Sequence, residues 1–255
     1  MEYFILSRTG GRERNEDSAG AVKGENGFCC VVADGLGGHD RGEEASALAK
    51  DTCLELFSGK AQKGDFDLQE FLEQCFLEGQ RRLLSRQKEE KSGMKTTLTV
   101  LAAWDGKLQW GHVGDSRLYW FRNGKTAGRT LDHSVPQMLV ASGEIREKDI
   151  RGHEDRSRLL RVMGAEWSRP QFELSLPVPT EDGLAFLLCS DGFWELIEEK
   201  EMEKALRRAE TTQEWLEAME REIVKNGYGP DMDNYTAVGV WLGRPLKRQR
   251  LWGLF

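Results

Sequence analysis

The stretch VVADGLGGHD, residues 31 to 40, carries an apolar run to an acid, Asp34, and then spends three of the next four residues on glycine. Acids recur in similar settings. Asp17 follows Glu16 in RERNEDS, Asp115 stands in VGDSR, Asp191 in LLCSDGFW, and Asp231 and Asp233 in DMDNYT. Asp34, Asp115 and Asp191 come straight after strand-like runs and Asp233 lies just before one; strand ends are rigid mounts for a site. If the sheets bring these ends together, several carboxylates share a small space, and their repulsion is costly unless a cation lies among them. Hard oxygen ligands select Mg²⁺ or Mn²⁺ over zinc, which more often recruits His and Cys. Two such ions about 3.5–4 Å apart can clamp a phosphoryl group and make hydroxide from a bound water. Glycine at positions 35 and 192 leaves room for a carbonyl or a phosphate to come close. The competing account is local, because Asp-Gly is a common turn. Asp105-Gly106, in hairpin context with no companion acid, is read as one.

The elements that must position these acids are legible as short runs rich in β-branched and aromatic residues: Tyr3–Ser7, Phe28–Ala33, Thr97–Trp104, Leu108–Val113, Arg117–Phe121, Leu184–Cys189 and Tyr235–Leu242. Asp105-Gly106 and Asn123-Gly124 are hairpin signals, so antiparallel sheet is expected. After Gly42, the residues Ala45, Leu48, Ala49, Thr52 and Leu56 fall on one helical face. A second helix follows from Asp67, and a third is read over Thr211–Val224. Long helices between groups of strands predict helices packed on sheet faces, not alternating βαβ units. Leu131–Arg161, dense in charge, reads as a surface insertion.

The 255 residues allow one large domain or two small ones. A content of 39% hydrophobic and 31% charged residues describes an ordinary globular chain. The net charge of -7 argues against nucleic acid as a main partner. Five cysteines form no CxxC pair and sit in apolar stretches, which predicts buried reduced thiols. The opening MEYFILSRTG has no basic region before its short apolar run and no small-residue cleavage site, so no secretory signal is expected. No apolar stretch approaches the length of a membrane span. A reducing cytoplasm is the expected location.

Seven segments in order, GGRERNEDS, VVADGLGGHDRGE, GMKTTLTV, GHVGDSRLYWFRNG, LDHSVPQMLVASGEI, LLCSDGFWELI and DNYTAVGVWL, resemble the successive motifs of the metal-dependent protein phosphatases of type 2C, in their compact bacterial form. The resemblance covers nearly the whole chain. It implies an α+β fold, a four-layer αββα sandwich of two antiparallel sheets flanked by helices, with a binuclear Mn²⁺ or Mg²⁺ centre at one end. Carried over by position, Asp17, Asp34, Asp191 and Asp233 are the expected metal-centre carboxylates, with the Gly35 carbonyl as a further ligand. Asp115 matches the acid that helps to hold a third, weaker ion. Arg12 matches the phosphate-binding arginine, whose planar fork can hold two phosphate oxygens; a solvated loop arginine is the alternative, and the one favoured for Arg14.

Some members of the family carry a histidine directly after the Asp-Gly, where this chain has Leu36 and then His39 three residues later. His39 is a candidate to protonate the leaving group, with a cap on the following helix as an equal account. Asn234 resembles the partner of an Asp-Asn pair, its amide able to orient a ligand or a water. The flap at about residues 131–161 is implied to lie beside the active site, selecting substrates or merely solvated. The expected layout is a catalytic domain over residues 1–243 and a basic amphipathic tail over 244–255, packed on its own domain or docked on a partner or a membrane surface.

The expected activity is hydrolysis of phosphoserine and phosphothreonine in proteins by direct attack of a hydroxide activated at the two ions, without a covalent phosphoenzyme, in opposition to a serine/threonine kinase. A monomer is expected. The rivals are a binding module that has lost its metal, against which every expected acid is present, and a phosphatase devoted to a single regulatory switch.

Overall fold

The computed structural model describes residues 1–36, 41–63, 66–227, 229 and 231–243. His39 and the tail over 244–255 therefore lie outside the described residues. The strands are β1 (Glu2–Arg8), β2 (Asp17–Lys23), β3 (Gly27–Asp34), β4 (Leu98–Trp104), β5 (Lys107–Val113), β6 (Arg117–Arg122), β7 (Lys125–Arg129), β8 (Glu173–Leu174), β9 (Val178–Pro179), β10 (Leu184–Cys189) and β11 (Tyr235–Leu242). The helices are α1 (Gly42–Lys63), α2 (Leu68–Glu90), α3 (Val135–Ser142), α4 (Asp191–Trp194), α5 (Glu199–Arg208) and α6 (Thr212–Asn226).

Local chemistry explains the boundaries. Asp105 and Gly106 both take positive φ, 47° and 76°, and close the β4–β5 hairpin; Asn123 and Gly124, at 52° and 69°, close β6–β7. This is the left-handed pair that a two-residue hairpin turn with native twist requires. The side chain of Asp67 accepts the Glu70 N–H at 2.8 Å and starts α2. Thr211 does the same for α6 through the Glu214 N–H; each cap satisfies a donor that the first helical turn leaves unpaired.

One antiparallel sheet has the order β1-β11-β10-β6-β7 and the other β2-β3-β4-β5-β8, with β9 also pairing β5. Between the sheets lie Val32, Leu101, Leu108, Leu188, Val238 and Val240, all buried. The outer face of the second sheet is covered by α1 and α2 through Ala49, Cys53, Phe57, Phe71 and Phe76. The outer face of the first is covered by α5 and α6, where Trp215 meets Phe121 edge-on at 5.4 Å. Each large apolar side chain buried in this way contributes about 1.5–3 kcal/mol by leaving water. The layers are the αββα sandwich that the resemblance implied. The five cysteines are all buried and form no disulfide. No described helix is long and apolar enough to cross a membrane.

The 131–161 segment is more ordered than its composition suggests. It contains α3 and a 3₁₀ turn over Glu147–Asp149, and its base is closed by Val135 N–H to Arg158 O (2.9 Å) and Leu160 N–H to His133 O (2.7 Å). Local capping supplies what apolar content does not: Ser134 caps α3, with Pro136 in its first turn and Gly143 at positive φ ending it.

Candidate metal centre

Asp34, Asp115, Asp191 and Asp233 line one cavity of about 720 Å³, together with Gly35 and Arg12. Asp34 ends β3, where a threonine pair grips its backbone. Thr97 Oγ1 accepts the Asp34 N–H at 2.9 Å, and Thr96 Oγ1 donates to the Asp34 carbonyl at 2.8 Å. Asp191 opens α4 directly after β10, Asp115 follows β5, and Asp233 precedes β11. The glycines beside two of these acids do admit close neighbours, and the neighbours are the chain's own carbonyls. A Cβ on Gly35 would stand 2.2 Å from Gly42 O, and one on Gly192 2.1 Å from Asn234 O. Neither position tolerates a side chain without backbone movement.

Asp17 is paired with Asp34 in the β2–β3 register, yet its carboxylate is buried and does not line the cavity. It accepts a hydrogen bond at 2.7 Å from the Oγ of Ser190, the residue before Asp191. Its neighbour Glu16 lines the cavity instead. Glu16 stands in the connection just before β2, which opens onto the cavity, whereas Asp17 begins the strand and is covered by Ser190. The acidic pair is legible in the sequence; which of its two members faces the cavity is not.

Asn234 also differs from expectation. Its amide nitrogen donates to Thr9 O and Arg14 O, both at 2.8 Å, and its oxygen accepts the Glu16 N–H at 2.8 Å. The side chain is used in full on the loop that carries Arg12 and Glu16. Arg12 itself reaches Asp233, Nη2 to Oδ2 3.1 Å, and Arg14 pairs with Glu43 at the same distance.

Electrostatics set this cavity apart. Burial first, then the charges of Asp17, Asp191 and Asp115, push the Asp34 carboxyl well above its ordinary range. Asp115 is pushed up by burial and then by Asp191, and Asp191 by burial and then by Asp233. Asp17 rises to about 7, chiefly from burial and against the hydrogen bond from Ser190. Glu16 moves the same way through burial, Glu43 and Asp233. Among the described residues no Lys, Arg or His forms an ion pair with Asp34, Asp115 or Asp191. Anionic oxygens crowded without a positive partner are a donor set that fits a hard divalent cation. Asp34, Asp191, Asp233, Asp115 and the Gly35 backbone are the residues able to hold one.

A separate group, His112, His133 and Glu173, brings possible ligand atoms within 4.8 Å of one another. Its hydrogen bonds fit a clamp better than an ion site. His112 Nε2 lies 2.8 Å from Leu131 O and so carries the ring proton. His133 Nδ1 accepts the Gly114 N–H at 3.2 Å, which leaves the proton of the neutral ring on Nε2. That Nε2 faces Glu173 Oε1 at 3.2 Å but off the hydrogen-bond axis. The rings stack at 4.6 Å and 14°, so their lone pairs do not converge. The group ties the start of the flap to β5 and β8.

A cysteine-phosphatase spacing, Cys-x5-Arg, occurs once, from Cys75 to Arg81. It lies within α2, where Cys75 is fully buried with its thiol pushed well up by burial and Arg81 is bound to Glu78 at 2.6 Å. A helix offers no loop to cradle a phosphate there, and the thiolate is disfavoured.

Residues 7–228 match the family described as Protein phosphatase 2C. The chain is 32% identical over 234 residues to the serine/threonine phosphatase stp of Listeria monocytogenes, covering 90% of each. The solved structure of the Mycobacterium tuberculosis serine/threonine phosphatase PstP/Ppp superposes with a TM-score of 0.82 at 30% identity, over 95% of this chain and 98% of that one. A PstP catalytic domain solved in complex with two manganese ions matches with a TM-score of 0.77 at 27% identity, over 93% and 96% of the two chains. With the match spanning the catalytic fold and reaching both sheets, the chain belongs to the protein phosphatase 2C family and is a serine/threonine phosphatase of that divalent-metal-dependent class.

Proposed function

We propose that this phosphatase acts on phosphoserine and phosphothreonine residues of proteins, with two Mn²⁺ or Mg²⁺ ions held by Asp34, Asp191, Asp233 and the Gly35 carbonyl, and a third, weaker ion at Asp115. The observation that carries this reading is the convergence of Asp34, Asp115 and Asp191 on one cavity with Arg12 in its wall. When bound, the ions set positive charge against the phosphate dianion and lower the pKa of a water.

The remaining work falls to the chain. Arg12 offers parallel N–H donors to two phosphate oxygens, a fork suited to a tetrahedral anion. Asn234 fixes the loop on which Arg12 stands, through its bonds to Thr9 O and Arg14 O. Asp17, held by Ser190, steadies the end of β2 against Asp34 across the register. Thr96 and Thr97 hold the backbone of Asp34, so the carboxylate keeps its position as charge develops on the phosphate. His39 is the proposed proton donor to the leaving alkoxide. The enzyme acts as a monomer in a reducing cytoplasm, as its buried free thiols support, and opposes a serine/threonine kinase.

The test is phosphate release from a phosphothreonine peptide by the purified chain, in Mn²⁺ and in excess chelator. Release in Mn²⁺ that stops in chelator is the expected result. No release by a folded protein shown to have bound Mn²⁺ would turn the reading toward a binding module.

A further inference from the structure

Two of the cations on the cavity wall are tied to none of its acids. Of the cations on its wall, Arg12 is paired with Asp233 and Arg14 with Glu43. Lys95 and Arg158 line the same cavity, and among the described residues their side chains make no ion pair or hydrogen bond. Both stand on fixed backbone. The Lys95 carbonyl accepts the Leu36 N–H at 3.0 Å, and the next residue, Thr96, exchanges backbone bonds of 3.3 and 2.9 Å with Met163, two residues past the flap. Arg158 is held at both ends of its peptide unit, donating to Asp155 O and accepting from Val135 N, each at 2.9 Å. The two cations thus belong to the flap side of the cavity, whereas Arg12 and Arg14 come from the β1–β2 connection bound to Asn234.

Size points the same way. A cavity of about 720 Å³ is in the range that encloses a drug-sized ligand, well beyond one phosphoryl group, so residues beside the phosphorylated one enter too. Two cations on one wall with no carboxylate bonded to either among the described residues favour a ligand that brings negative charge.

We infer that Lys95 and Arg158 form a subsite for an anionic side chain adjacent to the scissile phosphoresidue, so that the enzyme selects phosphopeptides flanked by a carboxylate or by a second phosphate. This rests on the phosphatase reading above and names the substrate class within it.

The test compares phosphothreonine peptides of one length flanked by glutamate, by glutamine or by a second phosphoserine, with p-nitrophenyl phosphate as a substrate that has no flanking residues. All are assayed in Mn²⁺ with the full chain. The glutamate peptide is expected to exceed the glutamine peptide by about fivefold in kcat/KM, chiefly through KM, the scale of a pair of partly exposed charge contacts. The ratio should shrink toward one in K95A/R158A and at high salt. A preference confined to the doubly phosphorylated peptide, and lost in the same double variant, assigns the subsite to phosphate and still supports it. Equal rates on the glutamate and glutamine peptides, with no gain from a second phosphate, overturn the inference, as does a preference that survives K95A/R158A. Failure to hydrolyse any of the substrates, p-nitrophenyl phosphate included, would strike at the phosphatase reading instead.

Discussion

Ser116 separates two kinds of buried charge. On one side, Arg117 gives two hydrogen bonds of 2.8 and 2.6 Å to Asp132, with side chains only 2% and 1% exposed. Its guanidinium lies 3.3 Å from the centre of the Trp194 ring, and its remaining reach goes to Tyr119 Oη at 2.8 Å. On the other side, Asp115 shares its cavity with Asp34 and Asp191, and each is pushed toward the protonated form by burial and by its neighbours. The first group is closed: every charge meets its opposite, and the pair pins the start of the flap to β6. The second is open, and packing alone gives no reason to crowd carboxylates together. A fold that pairs Arg117 so fully with Asp132, while Asp115 on the other side of Ser116 is left without an opposite charge, marks the open group as a site.

The contrast breaks most clearly at Arg117. Arg117→Met strands Asp132 in the core, with only Arg129 at 3.4 Å to answer it, and should cost about 3–5 kcal/mol in denaturant unfolding. Adding Asp132→Leu should recover much of that loss. A single variant within about 1 kcal/mol of the parent would show that the pair is not the closure described. In the open group the same kind of change should act on chemistry. Asp191→Asn is expected to keep the fold and lower turnover on a phosphothreonine peptide at least about a hundredfold, equivalent to about 2.7 kcal/mol of transition-state stabilisation. Near-normal turnover would remove Asp191 from the centre.

How much of this is readable from the sequence depends on whether the cause is local. The apolar run into Asp34, the hairpins at Asp105-Gly106 and Asn123-Gly124, and the stripes of α1 and α2 are local patterns, and each leads to the observed element. β2 escapes such a reading, because DSAGAVK is built of small residues. Packing decides its conformation: a Cβ on Gly20 would stand 2.6 Å from Leu54 Cδ1, so the strand is kept bare to lie under α1. α5 escapes it for the opposite reason, being mostly charged with Met202, Ala205 and Leu206 as its buried residues. At the site, the strand ends that carry the acids are legible. The choice between Glu16 and Asp17 is not, because it depends on where β2 begins and on Ser190, 173 residues away, covering Asp17. The work of Asn234 is equally hidden, since its partners Thr9, Arg14 and Glu16 are more than two hundred residues away in the chain.

The open group should also declare itself through pH, with a smaller effect. In chelator, Asp17 at about 7, raised from 3.8, keeps in the folded state a proton that the unfolded chain has already lost; Asp34, Asp115 and Asp191 are displaced in the same direction. The stabilising contribution of such a group is whole below the unfolded pKa, near 4, and is lost as pH rises through the folded one. Melting in chelator should therefore fall between about pH 5 and pH 8 by several degrees, because the shift of Asp17 from 3.8 to about 7 is worth about 2–3 kcal/mol across that range and each kcal/mol moves a chain of this length by about 2–4 °C. In saturating Mn²⁺ the dependence should reverse, because a cation binds the ionised carboxylates and protons compete with it. Asp34→Asn should flatten the fall in chelator by removing one of the repelling charges, whereas no substitution at an exposed pair such as Arg146–Asp149 should alter either curve. Identical slopes with and without Mn²⁺ would mean that the crowded acids are not what the cation meets, and the distinction drawn across Ser116 would lose its functional half.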